Sequence, residues 1–272
     1  MKIGDSEIGS APYMIAEASI NHGGVIPRAL GMVSAAKEAG CDAVKFQTYK
    51  TSEFCSPDDT MYSTFKQCEL MPHAWSMIKE RCDRVGIEFL STPQNPSDLE
   101  LLLPLGMKAI KVGSDDALNF PLLKEYAKHG LPLLVSLGMC DETERSMILG
   151  VLIGLPWVPM ICTSQYPTRA GEVNVSRVNH GTIWGATGFS HHTVGNTASD
   201  MATAFGACVF ERHFTLDHRL DGPEHSWACN PNELKSWVDA VHEAWAMRGN
   251  GQFQLSEREK EQKRKYQPRP GR

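Results

Sequence analysis

The sequence predicts a single closed (β/α)8 barrel, and three observations carry that reading. Short apolar runs alternate with helical stretches along the chain, and eight such units can be counted. Helical stretches of about 10–15 residues between short apolar strands imply parallel pairing. The 272 residues match the roughly 250 that one such barrel occupies. The main alternative, an open doubly wound sheet, would carry a Gly-x-Gly-x-x-Gly turn after its first strand; none occurs there.

The elements follow in order. The first strand is read over residues 13–18, an apolar run holding the polar Glu17 near its end. Residues 27–39 have helical spacing, with Pro27 at the start and Gly40 at the stop. The second strand is 42–47. A helix over 73–85 ends at Gly86, and the third strand is 87–92. A short helix over 97–105 ends at Gly106, and the fourth strand is 109–114. A helix over 121–129 closes at Gly130, and the fifth strand is 133–136. Residues 142–153 are helical, 158–163 form the sixth strand and 185–190 the seventh. A helix over 198–205 leads to the eighth strand, 207–213. The last long helix, 232–247, is amphipathic through Leu234, Trp237, Val238, Val241 and Trp245.

Two segments stand outside this alternation. Residues 48–72 form a long connection after the second strand, and connections of that length in a compact domain are often lids or binding loops. Residues 256–272 carry seven Lys/Arg against three Glu and no apolar periodicity. They read as a solvated helix end plus a loose terminus, which divides the chain into a barrel (1–255) and a charged tail (256–272).

Composition narrows the class. With 42% hydrophobic, 22% charged and 8% aromatic residues, collagen-like, fibrous and disordered chains are excluded. The net charge of −5 argues against a nucleic-acid binder while leaving room for a local anion site. Met1-Lys2-Ile3-Gly4-Asp5 has no signal-peptide pattern. No apolar run reaches the ~18 residues of a membrane span. The eight cysteines include no C-x-x-C pair. A reduced, cytoplasmic protein is expected, with most cysteines acting as small buried hydrophobes.

The functional signal lies at the strand ends, because the C-terminal rim of a barrel carries its chemistry. Every predicted strand ends in polar residues: Glu17; Lys45 and Gln47; Ser91 and Thr92; Lys111 and Ser114; Ser136; Ser164 and Tyr166; Ser190 and His192; Glu211 and His213. Singly, each has an ordinary structural explanation, a helix cap for a serine or snorkelling for a lysine. Eight on one rim do not. Lys45 and Lys111 point inward, which is costly unless an anion pairs with them. Hydroxyls at Thr92, Ser114, Ser136, Ser164 and Ser190 could ring such an anion, and the set suits a phosphate plus a carboxylate. Internal Lys–Asp or Lys–Glu bridges are the alternative. His192 and His213 end neighbouring strands and could share a divalent metal. Glu17, across the closing seam, is then a candidate general acid or base.

These residues also fall within longer motifs. They are Ile15-Ala16-Glu17-Ala18-Ser19-Ile20-Asn21-His22-Gly23-Gly24, Asp42-Ala43-Val44-Lys45-Phe46-Gln47, Lys111-Val112-Gly113-Ser114 and Asn119-Phe120-Pro121-Leu122-Leu123. Further on come Ser136-Leu137-Gly138-Met139, Cys162-Thr163-Ser164-Gln165-Tyr166-Pro167 and Ser190-His191-His192-Thr193-Val194-Gly195. Glu211-Arg212-His213-Phe214-Thr215-Leu216-Asp217 and Gly222-Pro223-Glu224-His225 complete the set. In content and order the chain resembles the N-acetylneuraminate (sialic acid) synthase family over roughly residues 10–250.

That resemblance implies a phosphoenolpyruvate (PEP)-dependent condensation with an N-acetylmannosamine-like aldose, giving a nine-carbon 2-keto-3-deoxy sugar acid and phosphate. By position it implies PEP binding at Lys45, Thr92, Lys111, Ser114, Ser136, Ser164, Tyr166 and Ser190. It implies a divalent metal, manganese first and magnesium or cobalt as alternatives, held by His192 and His213. Glu17 would stand close to the reacting aldehyde, Gln47, Glu211 and Glu224 on the sugar side, and Asp116 at the attacking water. The acceptor is open among N-acetylmannosamine, a diacetamido-trideoxy hexose and a simpler aldose. A homodimer is expected. The alternatives are a divergent non-catalytic or partner-dependent barrel that binds PEP, or another metal-dependent aldolase-type enzyme.

The chain departs from the family pattern at five positions. His191 stands where Asp is usual, Ile161 where His is usual, and Leu137 where Thr is usual. Glu224 replaces Asp and Ser19 replaces Gly. Members typically continue into a small antifreeze-like domain that supplies an Arg to the partner subunit's sugar site; this sequence is expected to be the barrel alone.

Overall fold

The computed structural model describes residues 1–267. Eight parallel strands close into a barrel in chain order. They are Tyr13–Ser19, Ala43–Thr48, Glu88–Pro93, Ile110–Val112, Leu133–Ser136, Trp157–Ile161, Gly188–His191 and Val209–His213. Their residues are almost all buried, as expected of strands packed inside the barrel and covered by helices outside. The eighth strand closes on the first with Val209 opposite Tyr13 and His213 opposite Glu17. This register sets Glu17 and His213 side by side at the C-terminal rim.

Local chemistry sets the helix limits. Pro72–Val85 begins with proline, whose missing N–H is harmless in a first turn, and stops at left-handed Gly86. Pro96–Leu102, Glu142–Leu152 and Pro231–Arg248 each start with a capping box, built by Asn95 with Asp98, Asp141 with Glu144, and Asn230 with Glu233. Ile26–Glu38, Phe120–Ala127 and Thr197–Ala204 complete the outer ring. The apolar stripe of Pro231–Arg248 buries Leu234, Trp237, Val238 and Val241. The Trp237 indole donates to Ser199 Oγ at 2.9 Å, so its one polar atom is satisfied in the core.

The sequence expectations hold in number and order of strands and differ in detail. The fourth strand is three residues long rather than six, and the seventh starts at Gly188 rather than at 185. The sixth unit has no long helix: 3-10 turns at Val175–Arg177 and Thr182–Trp184 flank the four-residue helix Val178–Gly181. The long connection after the second strand folds into two short helices, Thr51–Phe54 and Tyr62–Cys68. An antiparallel hairpin, Lys2–Ile3 with Ser6–Glu7, precedes the barrel. The tail forms an exposed helix, Glu257–Tyr266; residues 268–272 lie outside the described residues. No described helix is long and apolar enough to cross a membrane. All eight cysteines are free.

Candidate active site

A cavity of about 530 Å³ opens at the C-terminal rim. It is lined by every residue picked out from the sequence except Ser91 and Asp116: Glu17, Lys45, Gln47, Thr92, Lys111, Ser114, Ser136, Ser164, Tyr166, Ser190, His192, Glu211, His213 and Glu224. Strand alternation explains the convergence. Inward positions recur every second residue, so Glu211 and His213 share one face of the eighth strand.

The floor is a buried charge network. Lys45 and Lys111 are 2% and 3% exposed. Lys45 Nζ lies 2.7 Å from Glu17 Oε2 and donates to Thr92 Oγ1 at 3.0 Å. Lys111 Nζ donates to Ser136 Oγ at 2.6 Å and to Val112 O at 3.1 Å. Glu211 stands between the two lysines, 3.8 Å from Lys45 and 3.9 Å from Lys111, and accepts from Ser190 Oγ at 2.8 Å. The internal Lys–Glu bridges weighed from the sequence are therefore present, inside the same cavity as the hydroxyls. Glu211 belongs to this lysine floor.

Burial and pairing pull these groups in different directions. Burial raises the Glu17 carboxyl above its ordinary range against the pull of Lys45. Burial would raise Glu211 as well, but Lys111 and Lys45 together hold it well below that range. Burial works to strip Lys45 of its proton; Glu17 and Glu211 outweigh it and the ammonium is reinforced. Lys111 has the weaker pairing, and burial carries it below its ordinary value. Buried ion pairs of this kind seldom stabilise a fold relative to apolar packing. Their retention at the rim is a functional signature.

Above the floor sit the two histidines, their ring centroids 5.5 Å apart. His192 Nδ1 bonds Thr163 O at 2.7 Å, and burial followed by His213 brings its pKa down to about 4. His213 Nδ1 bonds Glu224 Oε2 at 2.9 Å; burial opposes its proton, but Glu224 prevails and raises the value. Glu224 is held in turn by Ser19 Oγ at 2.9 Å and Asn21 Nδ2 at 3.0 Å.

This arrangement corrects the expectation of a manganese, magnesium or cobalt ion on His192 and His213. Among the described residues, no group of three or more His, Cys, Asp or Glu side chains could hold a metal ion. The groups that would complete such a set are committed elsewhere: Glu224 to three donors, Glu17 to Lys45, and one nitrogen of each imidazole to Glu224 or Thr163. The residues as arranged do not fit a resident divalent ion.

Asp116 is not a lining residue. Its carboxylate accepts from Asn119 Nδ2 at 3.1 Å, and the neighbouring Asp115 faces the cavity instead. His191 also turns away, bonding Ser199 Oγ at 2.6 Å and Thr193 Oγ1 at 2.7 Å, and burial holds it far below its ordinary pKa. Leu137 and Ile161 line a separate cavity of about 190 Å³ with Arg177 and His180. Of the five departures only Glu224 lines the main cavity; Ser19, His191, Leu137 and Ile161 do not.

Several contributors were not among the site residues read from the sequence, which marked Ser19 only as a departure from the family pattern. Ser19 sits at a register shift in the first strand with φ 49° and aims its hydroxyl at Glu224. Its signal was available: a non-glycine residue where glycine is usual. Trp227 packs at a tilt against His213 and Tyr166, with ring centroids 5.0 Å and 5.5 Å away. Phe54, Met61 and Phe65 from the long connection form a wall beside Ile20.

Comparison with known proteins agrees with the barrel fold. The sequence pattern of the NeuB family matches residues 32–253. An uncharacterised protein of Methanocaldococcus jannaschii is 36% identical over 259 residues, covering 93% of this chain and 77% of that protein. The N,N'-diacetyllegionaminic acid synthase of Legionella pneumophila is 33% identical over 270 residues, covering 91% and 76%. The crystal structure of N-acetylneuraminic acid synthetase from Leptospira borgpetersenii superposes with a TM-score of 0.92 at 27% identity, covering 97% of this chain and 95% of that one. The chain therefore belongs to the NeuB family, whose common reaction is the PEP-dependent condensation of sialic, legionaminic and pseudaminic acid synthases.

Proposed function

We propose that this cavity performs the family's condensation with the following division of labour. Lys111, Ser136, Ser114 and Ser164 receive the PEP anion, with Lys45, Thr92, Ser190 and Tyr166 completing the cradle. One observation carries the reading: two buried ammonium groups converge with hydroxyls in a cavity that also holds Glu17 and His213. Ser164 Oγ is buried and has no partner among the described residues, as befits a donor that waits for ligand.

The acceptor aldose enters above the cradle, near Gln47, Glu224 and the two imidazoles. C3 of PEP attacks the aldehyde carbon and forms the new C–C bond. The aldehyde oxygen takes a proton from Nε2 of His213, whose Nδ1 is held by Glu224. Glu17, paired with Lys45, steadies the positive charge that builds at C2. Water adds at C2 and gives up a proton; phosphate then leaves with its bridging oxygen, and loss of the hydroxyl proton yields the keto group. Asp115, which lines the cavity, and Asp116, the position implied by the family resemblance, are the candidates for this water step, and separate Asn substitutions at the two positions distinguish them.

The net charge of −5 fits small-molecule substrates and no nucleic acid. Eight free cysteines fit the cytoplasm. The homodimer implied by family resemblance is part of the proposal, and sedimentation at micromolar concentration reports it. The central test is phosphate release from PEP with and without an N-acylated aldose. Acceptor-dependent release is expected, and Lys111→Ala should lower kcat/KM for PEP by about 100-fold or more, since charge-assisted hydrogen bonds contribute about 1.5–3 kcal/mol each. Wild-type-like kinetics in that variant would overturn the assignment of the cradle.

A further inference from the structure

Ser164 and Tyr166 reach the cavity on a stretch with little regular structure of its own. Between the sixth strand, which ends at Ile161, and the 3-10 turn Ala170–Glu172 the chain has neither helix nor strand. Main-chain carbonyls in such a stretch need partners from elsewhere. One side chain serves several of them. Arg177 Nη2 donates to Thr163 Oγ1 at 2.7 Å, to Cys162 O at 3.0 Å and to Val173 O at 3.1 Å, and its Nε donates to Asn174 O at 3.3 Å. Thr163 Oγ1 in turn donates to Val173 O at 3.3 Å. The guanidinium therefore clasps both ends of the stretch, Cys162 and Thr163 at the strand end and Val173 and Asn174 beyond the turn. Leu137 and Ile161, each 5% exposed, line the smaller cavity beside it, and an apolar neighbourhood strengthens such bonds.

Thr163 passes the constraint inward. Its carbonyl accepts from His192 Nδ1 at 2.7 Å, from Gln165 N at 2.9 Å and from Thr168 Oγ1 at 3.3 Å. Ser164 lies between Thr163 and Gln165, and its Oγ has no partner among the described residues, so its aim depends on the main chain on either side. Tyr166 follows and packs against the His192 ring at 4.4 Å. Arg177 itself lines only the smaller cavity. We infer that Arg177 is a positioning residue for PEP: from outside the main cavity it fixes residues 162–168 so that Ser164 and Tyr166 meet the anion. This rests on the PEP cradle proposed above and adds a residue that does not touch the ligand. A binding geometry is only as exact as the hydrogen bonds that hold its backbone.

The experiment measures the Kd for PEP by calorimetry in Arg177→Ala, Thr163→Val and the double variant. Arg177→Ala should raise the Kd about 10-fold or more, the scale of a weakened hydrogen bond or two to a charged ligand. Millimolar guanidinium chloride, whose cation can refill the space left beside the smaller cavity, should lower that Kd again while leaving wild type unchanged. Thr163→Val removes a single acceptor and should raise the Kd about 3-fold. In the double variant it should add nothing to Arg177→Ala, because the two side chains act through one bond. A wild-type Kd in Arg177→Ala, or a Thr163→Val effect that adds in full, would overturn the inference. If Arg177→Ala does not fold, Thr163→Val decides, and a wild-type Kd there would overturn it. Acceptor-dependent phosphate release by wild type reads the condensation separately. PEP binding without release would remove that reading and leave the inference to the Kd values; no PEP binding by wild type would overturn both.

Discussion

Gly138 follows the fifth strand, and its lack of a side chain leaves room in the cradle. A Cβ there would fall inside contact distance of Ser164 Oγ, 2.7 Å from Ser114 Oγ and 3.0 Å from Cys162 Sγ. The Gly138 N–H also donates to Ser114 Oγ at 3.2 Å. Its backbone is not left-handed, so alanine meets no torsional penalty, only three crowded side chains. Two of these atoms are hydroxyls that can swing aside, so the fold should survive Gly138→Ala with the overpacking cost of about 1–3 kcal/mol. In a chain of this size that lowers Tm by roughly 2–10 °C. In the proposed PEP cradle, that swing takes Ser114 and Ser164 off the anion. Weakening two hydrogen bonds to a charged ligand corresponds to about 1.4–2.8 kcal/mol, a 10- to 100-fold rise in the KM for PEP. Steady-state phosphate release with each substrate varied in turn gives both KM values. The reasoning predicts that the KM for the acceptor stays within about 2-fold. A Gly138→Ala protein that folds and keeps its KM for PEP refutes it.

Two further predictions follow from groups described above. Ser19→Ala keeps the left-handed backbone and removes the hydroxyl that holds Glu224, so thermal unfolding should show a loss of about 1.5–3 kcal/mol. Ser19→Gly also loses the hydroxyl but relieves the left-handed residue, and should recover about 1 kcal/mol of that loss; equal losses in the two variants would count against the strain. Burial raises Asp98 from the ordinary 3.8 to about 6, with Asn95 pulling the other way. The fold thus favours its proton: the penalty is absent below about pH 4, grows as pH rises toward 6 and then stays at up to about 3 kcal/mol. Asp98→Asn keeps an acceptor for Asn95 N–H, so its Tm advantage over wild type should widen from pH 4 to pH 7; a constant difference would refute the shift.

The barrel was legible in the sequence because its signals are local. Apolar runs stopped by Gly40, Gly86, Gly106 and Gly130 mark where helices end and strands resume. What stayed hidden was either too short to have a period or set by three dimensions. The hairpin strands have two residues each, and the helices at Thr51–Phe54 and Tyr62–Cys68 complete at most two turns. In the site, alternation fixed which side chains face inward but not their depth. Glu211 and His213 both point in, yet Glu211 pairs level with Ile15, one layer below the Glu17–His213 level. It therefore reaches both lysines, at 3.8 Å and 3.9 Å. Asp116 lies beyond the end of the fourth strand at Val112, where alternation no longer governs direction. The metal expectation rested on two imidazoles and the family resemblance, and the hydrogen bonds that occupy their neighbours appear only once the chain is folded.

The seam between the eighth strand and the first has a consequence for how the chain matures. Glu17 and His213 become neighbours only when the last strand docks on the first. Lys45 likewise meets Glu211 only across that closure. A nascent chain that has formed its first seven strands holds the lysines but not their carboxylate partner on the eighth, nor the imidazole beside Glu17. Such contacts, remote in sequence, come late and slow the search for the native state. Turnover is then a stricter report of completed folding than helix content, which is largely local: a population can regain most of its circular dichroism while every molecule still lacks an assembled site.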